Sequence, residues 1–243
     1  MSVETSRWYS PRLESEVTLV RWGHYGQPVL LFPTAGGDAE EVARMHLVGA
    51  LGPLLEAGRI KVYSCDSVAG RALARKDGSA EHRCWLLKQF GEYVAHEAVP
   101  AIRTDCGGEP LELVVAGASI GAFNALSVLC RYPHLVRAAI GMSGTYELAG
   151  LLGYNGNEDY HLTAPIRFLA DYPDSPALAT LRTRFVLLAH GRGRWESPSE
   201  SWNMARALGA RGIPNRVDEW GDEHDHDWPT WREMLPRYLD ELS

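Results

Sequence analysis

Gly117-Ala118-Ser119-Ile120-Gly121 sets one serine at the centre of a G-x-S-x-G pentapeptide. Before it lies the apolar run Leu111-Glu112-Leu113-Val114-Val115-Ala116, and after it the helical pattern Ala122 to Leu129. A serine on so tight a strand-to-helix turn is held in a strained backbone conformation, with its hydroxyl presented above the sheet edge. Residues two places to either side must lack bulk, and Gly117 and Gly121 do. The helix that opens at Ile120 aims unpaired N–H groups at whatever Ser119 attacks. The chemistry this predicts is nucleophilic attack on an acyl carbonyl, with the N–H of Ile120 as one oxyanion donor.

A serine on such a turn is served by an acid and then a histidine, in that chain order. His224 and His226 follow the last predicted strand, within Gly221-Asp222-Glu223-His224-Asp225-His226-Asp227-Trp228-Pro229. His226 is the favoured base, because it directly precedes the terminal helix with Asp227 as a cap. His224 is the alternative, and two hydrated loop histidines are the bland reading. The acid is expected after the strand that ends at Ala189, where Glu196 is the only carboxylate of His190-Gly191-Arg192-Gly193-Arg194-Trp195-Glu196. Glu200 competes by proximity, but Ser197-Pro198-Ser199-Glu200 reads as a capping box that would turn it back onto its own helix. Asp218 falls inside a predicted strand. The second oxyanion donor is expected from Pro33-Thr34-Ala35-Gly36-Gly37-Asp38, at Ala35 or Gly36. That segment could equally be a simple turn.

The elements that must position these groups follow a strand–helix alternation. Val17 to Trp22 reads as an antiparallel strand. Pro28 to Phe32, Ile60 to Cys65, Val136 to Met142, Arg184 to Ala189 and Asn215 to Trp220 read as further strands. Helices are predicted over about 39–55, 81–102 and 229–242, and after the elbow. The stretch 143–181, rich in Gly, Asn, Asp and Pro, reads as loops with short helices. This order predicts an α/β fold with a mostly parallel central sheet covered by helices on both faces. Reactive groups then gather at the carboxyl ends of the strands.

A chain of 243 residues without a break in composition predicts one domain over 1–243. It is 45% hydrophobic and 23% charged, an ordinary globular balance. A net charge of −7 offers nothing to a phosphate backbone, so nucleic acid is not an expected partner. No apolar run is long enough to span a bilayer, and the first residues lack a signal peptide's basic start and apolar core. The four cysteines (Cys65, Cys84, Cys106, Cys130) lack C-x-x-C spacing and read as unpaired thiols of a cytoplasmic protein. Cys84 and Cys130 read as small buried hydrophobes rather than nucleophiles.

The elbow, Arg131-Tyr132-Pro133-His134-Leu135 followed by Ser143-Gly144, and His226-Asp227-Trp228 with Trp231 together resemble the esterase group of α/β-hydrolases. That group includes S-formylglutathione hydrolases, feruloyl and acetyl esterases and bacterial mycolyltransferases. The similarity runs from about residue 28 to residue 240. Members of the group commonly carry their base in an H-x-W segment followed by another tryptophan, which implies His226 rather than His224. Ala122 stands where a glycine is often seen. The resemblance implies an α/β-hydrolase fold, and the short 143–181 segment implies no large cap.

The expected function is hydrolysis of small or medium acyl esters through an acyl-enzyme, with a Ser119–Glu196–His226 triad and no cofactor. The expected partner is a small-molecule ester or thioester, with no membrane partner; a second copy of the chain is left open. Acyl transfer to an alcohol or thiol acceptor would use the same triad. A cation held by the acidic and histidine residues of 222–227 and a non-catalytic binding protein on a hydrolase fold are the remaining alternatives.

Overall fold

A computed structural model describes residues 2–243 of the chain. Eight strands form one sheet: β1 (Val3–Ser10), β2 (Ser15–Trp22), β3 (Gln27–Phe32), β4 (Ile60–Cys65), β5 (Leu113–Ala118), β6 (Val136–Met142), β7 (Phe185–His190) and β8 (Asn215–Glu219). Their spatial order is β1-β2-β4-β3-β5-β6-β7-β8. β1 pairs with β2, and β2 with β4, in antiparallel fashion, while every later pairing is parallel. The expected α/β-hydrolase arrangement is therefore what the chain adopts.

The continuous apolar runs become strands buried on both sides. Every residue of β4 and β5 is buried. Leu30, Phe32, Val115 and Leu188 join one core cluster, while Val29, Leu31, Val114 and Leu187 join the other. Each cluster needs a helical layer to keep water out. On one face lie α1 (Glu41–Arg44), α2 (Leu47–Ala50), α3 (Gly52–Glu56) and, from the far end of the chain, α13 (Trp228–Leu242). The other face is covered by α4 (Val68–Arg75), α5 (Ala80–Tyr93), α6 (Val99–Asp105), α7 (Ile120–Arg131) and α12 (Pro198–Ala210). Fully burying one leucine or phenylalanine side chain in such a layer is worth about 1.5–3 kcal/mol.

Two local expectations are corrected, and two elements were not foreseen. The single helix over 39–55 is three short ones, because His46 takes a left-handed φ of 61° and Gly52-Pro53 forces a restart. The helix expected over 81–102 runs from Ala80 to Asp105 through a π-helical segment, Val94–Ala98. β1 and α4 carry no strong sequence signal. β1 is a largely exposed edge strand, held by its register against β2 and by bonds from Trp8 and Ser10 to Glu97. α4 buries only Ala69, Gly70, Ala72 and Leu73, within a stretch that reads as charged.

Between β6 and β7 the chain forms α8 (Ala149–Leu152), α9 (Glu158–Thr163), α10 (Pro165–Phe168) and α11 (Pro176–Leu181), none longer than six residues. These make no large cap. Among the described residues no helix is long and apolar enough to cross a membrane. Since β3 to β8 run parallel, the loops after β3, β5, β6, β7 and β8 open onto one rim. That rim collects every residue singled out for chemistry.

Candidate active site

Ser119 sits between β5 and α7 at φ 56°, ψ −122°, a conformation that non-glycine residues rarely adopt. Two glycines make the turn possible. A Cβ on Gly117 would overlap the backbone of Gly121, and one on Gly121 would come within 2.8 Å of the Pro33 carbonyl oxygen. The turn is pinned from the neighbouring strand: the Ser119 N–H donates to the Met142 carbonyl at 3.0 Å. Thr145 donates its N–H back to the Ser119 carbonyl at 3.3 Å. Ser119 itself remains partly exposed, and Ile120 opens α7, so its N–H has no acceptor within the helix.

The loop after β3 is held from three sides. Glu41 accepts from both the N–H and the hydroxyl of Thr34, each at 2.8 Å. Asp66 accepts from the Ala39 N–H, and Arg71 donates to the Gly37 carbonyl. Gly37 closes a turn onto Thr34 at 3.1 Å. Among the described residues the amides of Ala35 and Gly36 donate to no acceptor. Ala35 is half-buried against the core, whereas Gly36 is exposed.

The acid and base loops are laced together. Gly193 donates to the His224 carbonyl at 3.0 Å, and His226 donates to the Arg194 carbonyl at 3.0 Å. The Arg194 side chain pairs with Asp225 at 2.8 and 2.9 Å, and its N–H reaches the same carboxylate at 2.7 Å. A Cβ on Gly191 or Gly193 would collide with His224 or Asp225. The glycines of the Arg-rich loop therefore permit the two loops to touch. Between them stand Glu196 and His226, close enough for the carboxylate charge to act on the imidazole.

Burial pushes the His226 imidazole below the usual histidine range, and the charges of Glu196 and Asp227 act in the opposite direction. Desolvation prevails, so the neutral ring is favoured. The ring stands edge-on to Trp231 with centroids 5.4 Å apart. Glu196 accepts from the Ser143 hydroxyl at 2.5 Å through Oε1, while its buried Oε2 has no partner. Neither the Glu196 carboxylate nor the Ser119 hydroxyl is hydrogen-bonded to the imidazole.

The rejected candidates face elsewhere. His224 packs edge-on against Trp220 at 4.8 Å and lies 3.4 Å from both Glu223 and Glu233. Asp218 pairs with Arg216 on β8 at 3.0 Å. Asp227 caps α13, accepting from the Trp228 N–H. Among the described residues no three His, Cys, Asp or Glu side chains converge as cation ligands. Trp195, beside Glu196, is 75% exposed at φ 62° and stacks on Arg194.

Glu200 is a correction. It does not close a capping box, since Ser197 makes no side-chain cap. Its carboxylate instead accepts from the N–H groups of Tyr146 (2.7 Å) and Glu147 (3.1 Å), tying α12 to the loop after β6. Glu200→Ala is expected to destabilise the fold by about 1.5–3 kcal/mol, the usual range for hydrogen bonds to a charged group. Urea denaturation measures it, and a loss below about 0.5 kcal/mol would mean water serves those amides as well. Ser143 enters the sequence reading only within the Ser143-Gly144 pair of the family resemblance, with no contact foreseen to Glu196.

A family model described as "Putative esterase" matches residues 59–242. No curated protein matches the chain. Among solved structures, a ferulic acid esterase is 15% identical with a TM-score of 0.75, covering 99% of this chain and 96% of its own. An S-formylglutathione hydrolase from Agrobacterium tumefaciens is 13% identical with a TM-score of 0.72, covering 98% and 93%. Mycobacterium tuberculosis MPT51 is 15% identical with a TM-score of 0.72, covering 100% and 98%.

Proposed function

The chain belongs to the family described as Putative esterase, and from that premise we propose that it is a serine carboxylesterase acting through Ser119, Glu196 and His226. Small or medium acyl esters or thioesters are its substrate class, since no helix longer than six residues stands between β6 and β7. The observation that carries the reading is the interlock of the acid and base loops. Near that interlock stand a half-buried carboxylate with one unpartnered oxygen and an imidazole that burial biases toward the neutral form, on the rim that also carries the strained Ser119.

In this reading the Ser119 hydroxyl attacks the acyl carbon while His226 takes its proton. The oxyanion is met by the N–H of Ile120 and an N–H from the β3 loop, with Ala35 the proposed donor and Gly36 its neighbour. Ala35 is favoured because it is half-buried on a loop already anchored by Glu41, Asp66 and Arg71. The intermediate collapses, His226 protonates the departing alcohol or thiol, and water then hydrolyses the acyl-enzyme by the same route. Glu196 holds the ring's tautomer and stabilises the imidazolium.

The test follows from the signs of the charges. A base whose imidazole sits below the usual range stays neutral to lower pH, so the acid limb of kcat/KM should lie below about 6.5. Glu196 acts to raise that imidazole. Glu196→Gln should therefore move the limb further down in pH while lowering kcat about a thousand- to ten-thousandfold. A limb that stays in place with kcat unchanged would remove Glu196 from the triad.

A further inference from the structure

Three side chains from three separate elements meet behind the acid. Ser143 directly follows β6, Trp231 lies in the first turns of α13, and Glu196 lies on the loop after β7. Trp231 is 3% exposed and donates its indole N–H to the Ser143 hydroxyl at 2.9 Å. Ser143, 4% exposed, donates that hydroxyl to Glu196 Oε1 at 2.5 Å.

The direction of this chain is set by chemistry alone. An indole N–H can only donate, and an ionised carboxylate can only accept. The hydroxyl between them has one proton, and with an indole donor on its lone pair that proton must point at Glu196. The backbone keeps it there: Ser143 is held at φ 46°, with its N–H on the Ala189 carbonyl at 2.7 Å. A non-glycine residue in that region is strained, and such strain persists where the surroundings over-determine it. One lone pair of Oε1 is thereby taken and the carboxylate plane is fixed, while the buried Oε2 is the oxygen that has no partner.

We propose that Ser143 and Trp231 are positioning residues that lock the Glu196 carboxylate in one rotation, reserving Oε2 for the His226 ring. The proposal rests on the triad reading given above. A carboxylate free to rotate would swing its acceptor lone pairs out of the ring plane, and the imidazole would lose its fixed orientation. Misplacement on the order of 1 Å can cost about a hundredfold in rate.

The test compares Ser143→Gly with Ser143→Ala. Both delete the hydroxyl, but glycine relieves the positive φ and alanine does not. The proposal expects both to lower kcat on a p-nitrophenyl ester by about ten- to a hundredfold, with KM within about twofold. Trp231→Phe should lower kcat in the same sense by a smaller factor. Either Ser143 change added to Glu196→Gln should cost nothing further, because the carboxylate that the lock serves is gone. If Ser143→Gly keeps wild-type kcat, or if its loss multiplies with that of Glu196→Gln, Ser143 is a packing residue and the proposal fails. That result leaves the triad standing so long as Glu196→Gln alone is slow. Should Glu196→Gln be as fast as wild type, the triad reading fails first and the lock with it. A melting curve separates these from unfolding, since Ser143→Gly is the variant without backbone strain.

Discussion

Ester turnover by Ser119→Ala is expected to fall about a million-fold, as when a single member of a catalytic unit is removed. The fold should survive the change. Ser119 is partly exposed, and the contacts that hold its turn are made by its backbone N–H and carbonyl, which alanine keeps. The glycine contacts at Gly117 and Gly121 are equally untouched. Measured kcat/KM on a p-nitrophenyl ester should drop to the level set by the oxyanion donors and substrate binding alone, with a melting temperature near that of wild type. A fluorophosphonate probe should label the wild-type protein at this one serine and leave the variant unlabelled. Activity within tenfold of wild type in a clean preparation would end the assignment.

His226→Ala should cost a comparable factor, whereas His224→Ala should leave kcat/KM within about threefold. The contrast follows from where the two rings lie. Burial keeps the His226 ring neutral beside Glu196, so it can take a proton from serine. The His224 ring packs edge-on against Trp220, and its Nε2 reaches Glu233 at 3.4 Å. The double variant Ser119→Ala/His226→Ala should be no slower than either single one, because the two act as a unit. The same assay on all four proteins settles both points. A slow His224→Ala with a fast His226→Ala would exchange their roles.

Much of the frame was open to sequence reading because burial on two faces demands unbroken apolar runs. Pro28 to Phe32, Ile60 to Cys65 and Val136 to Met142 were legible for that reason, and all are strands. The elbow was legible because its geometry admits almost no residue but glycine at 117 and 121. Elements whose stability comes from neighbours were not. β1 is almost wholly exposed and is fixed by pairing with β2, and α4 buries one face of Ala69, Gly70, Ala72 and Leu73. Glu200 was misread for a related reason. A glutamate three residues after a serine satisfies the local pattern of a cap, but the amides of Tyr146 and Glu147, 54 and 53 residues away, take its carboxylate.

The residue types needed for acyl chemistry, their order along the chain and the strand ends that carry them are all properties of the linear sequence. They follow from local sterics and from the periodicity of burial, both of which act over a few residues. Only the tertiary structure decided that His226 lies within reach of the Glu196 charge while His224 packs on Trp220, and that one oxygen of Glu196 is held by Ser143 while the other is left free. Those outcomes depend on loops from β7 and β8 locking through Gly193, Arg194 and Asp225, and on α13 returning to lay Trp231 against Ser143. Contacts across 31 and 88 residues are set by packing of the whole sheet, and no local pattern of residues encodes them.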